Sequence, residues 1–90
     1  MKKLKISKSA GNFWDNLPAK QYKQVGGTIT GLMKDSRPHD SEKLRGAKNN
    51  ERRVDSGEYR IIYSDSENEV EVLVIGKRND GEVYKSWEQK

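Results

Sequence analysis

Arg60 is the only basic residue between positions 54 and 75, a stretch that also holds six acids. It stands within YRIIY, a run of β-branched and aromatic residues where a charge is seldom placed for solubility alone. Such an arginine has an assigned partner. That partner is either a nearby acid, in a structural ion pair, or a ligand anion. A guanidinium is planar, stays protonated at any physiological pH and matches two phosphate oxygens at once. Lys77 and Arg78 follow in sequence, and taken alone they fit a solvated strand end. Other chemistries are poorly supplied. The chain has no Cys, so it offers no thiolate nucleophile, no disulfide and no Cys-based zinc site. Its one histidine, His39, sits beside Pro38 in a polar stretch and reads as solvent-exposed. No phosphate-loop pattern surrounds Gly26, Gly27 and Gly31, so these glycines point to close packing of a helix.

The elements that must position Arg60 follow from periodicity. Leu4 and Ile6 alternate with lysines, which predicts a short strand over residues 2–7. Ser7, Ser9 and Gly11 look like a helix entry, and Phe13, Trp14 and Leu17 have helical spacing. Pro18 suits the first turn of a second helix. Tyr22, Val25, Ile29, Leu32 and Met33 mark its buried face. Residues 35–50 read as a loop around an isolated Leu44. Three strands are expected after it, over residues 52–55, 59–64 and 70–75, with a turn at Ser56-Gly57. VEVLVI at 70–75 is the most apolar run and is expected to be the central strand. Residues 82–90 suit a frayed strand end or a short tail helix. The order β-α-α-β-β-β predicts an α+β fold, with two N-terminal helices packed on an antiparallel sheet and a short C-terminal tail or helix.

Ninety residues suffice for one domain, so residues 1–90 are expected to form a single domain with one modest core. Charged residues outnumber hydrophobic ones, 36% against 31%, so much of the chain must face water. The net charge of +4 is unevenly spread: residues 1–35 carry +5 and residues 54–75 carry −5. No apolar run approaches the roughly 18–20 residues of a membrane span. Met1-Lys2-Lys3 is not followed by the apolar stretch of a signal peptide. A small, soluble, cytoplasmic protein with a preference for polyanions is expected. Lys2, Lys3, Lys5, Lys8, Lys20 and Lys23 are either its RNA-facing surface or an ordinary solubilising face.

Several segments together resemble the RelE/ParE superfamily of toxin-antitoxin toxins. They are VDSGEYRIIY, then EVEVLVIGKRNDGEVY, with KLRG at Lys43 to Gly46 upstream and a helical pair ending near Arg37-Pro38. The resemblance covers nearly the whole chain. GKR, with a Tyr six residues after its Arg, is similar to the RelE branch. That branch consists of ribosome-dependent mRNA endonucleases held inactive by a cognate antitoxin. The resemblance therefore implies an mRNA interferase that cleaves A-site mRNA, with the antitoxin, the ribosome (rRNA) and mRNA as partners and no membrane association.

In such a reaction the neighbouring 2′-OH is the nucleophile. The protein holds the reacting atoms in line, neutralises charge on the phosphate and moves two protons. No cofactor or metal is expected. The products implied are a 2′,3′-cyclic phosphate and a 5′-OH. By resemblance Arg60 contacts the scissile phosphate, Arg78 serves the leaving group, and Tyr84 stacks on and orients the substrate. From the residues alone, Tyr84 also suits a core aromatic, and Trp14 and Trp87 suit core or tail packing. Arg53 falls where the family has a Lys thought to act as general base, and Glu51 where it has a second Lys. Arginine does not readily accept a proton near neutrality, so Arg53 is expected to be an electrostatic clamp. Residues 51 and 53 share a face of an extended strand, about 6.6 Å apart. Glu51 is then a candidate base, or an ion-pair partner of Arg52 or Arg53. Arg52 and Lys77 are expected to add RNA contacts. Two alternatives remain open: a non-enzymatic DNA gyrase inhibitor like the ParE branch, and a catalytically weak nucleic-acid-binding module.

Overall fold

The computed structural model describes residues 1–78. The tail or helix expected over residues 82–90, with Tyr84 and Trp87, lies outside the described residues. The chain runs β1 (Lys3–Ile6), α1 (Lys8–Asp15), α2 (Ala19–Lys34), β2 (Glu42–Lys43), β3 (Glu51–Ser56), β4 (Tyr59–Asp65) and β5 (Glu69–Lys77). The strands form one sheet in the order β1-β5-β4-β3-β2.

The predicted element order holds, and the sheet is mixed. β1 lies parallel to β5, with Lys3 opposite Glu69 and Ile6 opposite Val72, while the other pairings are antiparallel. Alternation in a four-residue strand shows which side chains turn inward but not which way the strand runs, so direction was not readable from KLKI. The stretch expected to be loop contributes the two-residue strand β2, paired to β3. VEVLVI lies in an interior strand, and the middle position of the sheet belongs to β4.

Ser7 starts the first helix. Its Oγ accepts from the Ala10 backbone N–H at 3.1 Å and donates to the Leu73 carbonyl at 2.7 Å, so one hydroxyl caps α1 and ties it to β5. Val25, Ile29 and Leu32 form the buried stripe of α2. They meet Val54, Ile61, Tyr63, Val70, Val72 and Ile75 of the sheet in the main core. The glycines of α2 divide in two. A Cβ on Gly26 would lie 3.1 Å from the Trp14 ring, which explains that glycine by close packing. Gly27 and Gly31 face open space, and nothing in the structure explains them.

Two irregularities shape the other face of the sheet. The register slips between Ile62 and Tyr63, so that Val74 pairs with Ile62 and Val72 with Tyr63, leaving Leu73 as an extra residue in β5. The slip turns Leu73 and Val74 away from the helices. There they join Ile62, Leu44 and Ala47 in a second apolar cluster. Leu44, isolated in sequence, is thereby buried. Between β3 and β4 the chain reverses through Gly57 and Glu58. Gly57 has φ +60° and an added Cβ would lie 2.6 Å from the Gln24 side chain, so only glycine suits that position.

Candidate functional site

The two-residue loop at Gly57-Glu58 fixes the pairing of β3 with β4. Ser56 falls opposite Tyr59, Asp55 opposite Arg60, Arg53 opposite Ile62 and Glu51 opposite Ser64. Directly paired residues share a face, and faces alternate along a strand. Asp55, Arg60 and Arg53 therefore stand together on the face turned away from the helices.

Asp55 is the centre of the group. Arg60 Nε donates to Asp55 Oδ1 at 2.7 Å and Arg60 Nη2 donates to Oδ2 at 3.2 Å, a two-pronged pair. Arg78 Nη1 approaches the same Oδ2 at 4.0 Å. The Arg78 backbone N–H bonds to the Glu58 carbonyl at 3.0 Å, which holds the end of β5 against the hairpin turn. Arg53 Nη2 lies 2.5 Å from Glu42 Oε2 on the edge strand. The hydrogen bond from Arg60 holds the Asp55 carboxyl below its ordinary value. Burial pushes the other way, and the charges of Arg60, Arg53 and Arg78 add to the depression. Arg60 is mostly covered, with 16% of its side chain exposed, whereas 37% of the Asp55 side chain is exposed. Beside them lies a shallow pocket of about 80 Å³, lined by Asp40, Glu42, Arg53, Val54 and Asp55.

The sequence-predicted residues thus divide. Arg60 and Arg78 meet on one carboxylate, that of Asp55, and Arg53 stands on the same face with its charge felt there while its own pair is with Glu42. Tyr84 lies outside the described residues. Arg52 and Lys77 do not join the group: by register they belong to the opposite face, Arg52 opposite Tyr63 and Lys77 opposite Tyr59. Arg52 donates through Nε and Nη2 to Ser41 Oγ, at 3.3 and 3.0 Å. Glu51 is buried, and its Oε2 accepts the Asn49 backbone N–H at 2.7 Å, so its carboxylate fastens the loop before β3.

Asp55 was missed by sequence reasoning, although a signal was present. With a two-residue turn at Gly57-Glu58, the residue five before Arg60 must face it. A second group was missed without such a signal. Asp65 is buried and gripped from far along the chain by Lys2 Nζ at 2.5 Å and Arg37 Nε at 2.9 Å. This group lies on the helix side of the sheet, beside a pocket of about 90 Å³ lined by Arg37, Lys43, Asn50 and Arg52. Chemically, the Arg60 group is two guanidiniums, of Arg60 and Arg78, on one half-exposed carboxylate, with Arg53 beside it on the same face, an arrangement suited to holding a phosphate.

No model of a known family matches the chain, and no curated protein does. Solved structures do match. The archaeal RelE–RelB complex from Pyrococcus horikoshii matches with a TM-score of 0.77 at 25% identity, over 87% of this chain and 96% of that one. The isolated E. coli RelE toxin matches with 0.71 at 23%, over 99% and 97%. The RelBE2 toxin-antitoxin complex from Mycobacterium tuberculosis matches with 0.71 at 18%, over 86% and 98%. The chain has the RelE fold.

Proposed function

We propose that this chain is the toxin of a toxin-antitoxin pair, and that it inhibits translation in the cytoplasm by cleaving mRNA in the ribosomal A site. The observation that carries this reading is the gathering of Arg60, Arg78 and Arg53 on one face of the sheet, the first two held on Asp55. Support comes from the RelE fold, found in structures of RelE with RelB. A cognate antitoxin is the partner proposed on that ground.

The chemistry assigned to the site is attack of the 2′-OH on the adjacent phosphate. The 2′-O–P bond forms and the P–5′-O bond breaks, giving a 2′,3′-cyclic phosphate and a 5′-OH. Arg60 takes the scissile phosphate, where charge accumulates in the transition state. Arg78 stabilises the leaving 5′-oxygen, which takes a proton from solvent to become the 5′-OH. Arg53 clamps a flanking phosphate, and Tyr84 orients the base. The 2′-OH proton passes to a ribosomal group or to solvent, because Glu51 is committed to Asn49. Asp55 occupies the position a phosphate would take, so substrate must displace it from Arg60.

A second reading rests on one observation. The Arg60 fork is already engaged by Asp55 on two nitrogens, as suits a structural pair in a non-enzymatic inhibitor of DNA gyrase. Primer extension on translated mRNA, with purified protein and with or without ribosomes, decides between them. New 3′ ends at A-site codons only with ribosomes present support the nuclease. No cleavage, together with loss of supercoiling by gyrase, supports the inhibitor.

A further inference from the structure

The two pockets beside the β2–β3 edge have opposite linings. The one on the Arg60 face is bordered by Asp40, Glu42 and Asp55 against the single cation Arg53. The one on the helix side is bordered by Arg37, Lys43, Arg52 and Asn50, with no carboxylate in its wall. Its guanidiniums are anchored by the protein, Arg37 on one edge and Arg52 on Ser41 and Tyr63. Arg37 spends Nε on Asp65 and Arg52 spends Nε and Nη2 on Ser41. Among the described residues, both terminal nitrogens of Arg37 make no hydrogen bond with the protein, while Arg52 also reaches the Tyr63 side chain opposite it. Lys43 pairs in register with Arg52 across the edge. The result is an open, cationic recess of about 90 Å³, a size that suits one tetrahedral oxyanion.

We propose that Arg37, Lys43 and Arg52, with Asn50, form a second phosphate-binding position that takes a backbone phosphate of an RNA strand. Only the identity of the ligand rests on the RNA-directed function proposed above. A strand rounding the short β2 edge meets Arg52 on one side of the sheet and Arg53 on the other. The position is separate from the Arg60 group and takes no part in the bond-breaking step. Its contribution is affinity that weakens as salt rises, since each phosphate neutralised releases condensed counterions.

The test uses the full chain and a 2′-O-methyl RNA dodecamer, which lacks the nucleophile and cannot be cut. Binding is followed by fluorescence anisotropy across a salt series. Lys43→Ala is the main variant, because Lys43 is exposed and supports nothing in the core. It is expected to weaken binding several-fold near 0.1 M salt and to flatten the log–log salt dependence by about 0.7. Lys34→Ala, exposed in the last turn of α2, is expected to change neither. Equal effects from both variants would mean diffuse attraction and would overturn the site, as would no effect from Lys43→Ala. A second measurement needs no variant: the Arg37 Nε–H and Asn50 amide signals are followed by NMR during titration with the dodecamer or with inorganic phosphate. Shifts with the dodecamer support the proposal. Shifts with inorganic phosphate alone would overturn the nucleic-acid assignment. A chain that binds this RNA through Lys43 yet never cuts on the ribosome would sink the nuclease and leave the site standing.

Discussion

Asp55 and Asp65 are each gripped by more than one cation, yet they are built for different ends. Asp65 keeps 3% of its side chain exposed and Asp55 keeps 37%. Lys2 and Arg37 reach Asp65 from just before β1 and from the loop after α2, so its ion pairs join distant parts of the chain. The partners of Asp55 lie on adjacent strands of one sheet. A buried carboxylate that loses its cations is left with an uncompensated charge, so the Asp65 cluster is a fixture. A half-exposed carboxylate can exchange its cations for water at small cost, so the Asp55 cluster can open to an incoming anion. The same residue type thus serves as a rivet in one region and as a displaceable occupant in the other.

The sharpest way to break this contrast is through Arg60. Arg60→Ala is expected to lower the A-site cleavage rate by about 10²–10³-fold, the scale for loss of one charge-stabilising donor. Its thermal melt should stay close to that of the parent chain. A variant that cuts at full rate in primer extension would reduce the Arg60–Asp55 pair to a structural one.

Asp65→Ala probes the other side. It should destabilise the fold by about 2 kcal/mol, measured by urea unfolding, because charge-assisted hydrogen bonds are lost while Lys2 and Arg37, partly exposed, regain water. Burial pushes the Asp65 carboxyl up, but hydrogen bonds from Lys2, Arg37 and Ser36 outweigh it and leave the value lowered. A folded-state value below the unfolded one gives stability that is present above the ordinary value of 3.8 and is lost as pH falls through the folded one. Acid unfolding of the parent chain should therefore steepen below about pH 3.8, and Asp65→Asn should flatten that limb.

Asp55→Asn has a smaller and opposite effect. Removing the resident anion should tighten binding of the 2′-O-methyl RNA several-fold, while stability falls by less than about 1 kcal/mol after allowance for solvent screening. Weaker RNA binding by a folded Asp55→Asn chain would show that the carboxylate orients Arg60 and does not compete for it. The least effect belongs to Glu42→Gln. Its pair with Arg53 is largely exposed on the glutamate side, so the melting midpoint should move by no more than the equivalent of about 0.5 kcal/mol.

The sequence made one of the two clusters readable. A lone arginine in an acidic, β-forming stretch announced itself, but the turn expected at Ser56-Gly57 is one residue early: only the observed turn at Gly57-Glu58 places Asp55 opposite it. The sequence also showed the helix faces, the hairpin and the order of elements, because these are written in local periodicity. The Asp65 cluster was hidden because its members lie far apart: nothing near Asp65 distinguishes it from the other acids of that stretch. The strand at Glu42–Lys43 was hidden for a related reason. Two residues are too few to show alternation, and only pairing with β3 makes them a strand. The split between Arg52 and Arg53 followed from the same pairing, which sends neighbouring arginines to opposite faces.

The parallel contact of β1 with β5 bears on how the molecule is made. A chain synthesised from its amino end exposes KLKI first, yet that strand has no place to dock until residues 69–72 have emerged. Closing so long a loop costs chain entropy that local contacts do not repay, and such pairings form late. Until then neither Ser7 nor Lys2 can meet its partner across the sheet, on Leu73 or on Asp65. The nascent chain therefore passes most of its synthesis without a completed sheet. Whatever surface depends on the finished sheet, the Asp55 face included, is absent until the chain is nearly complete.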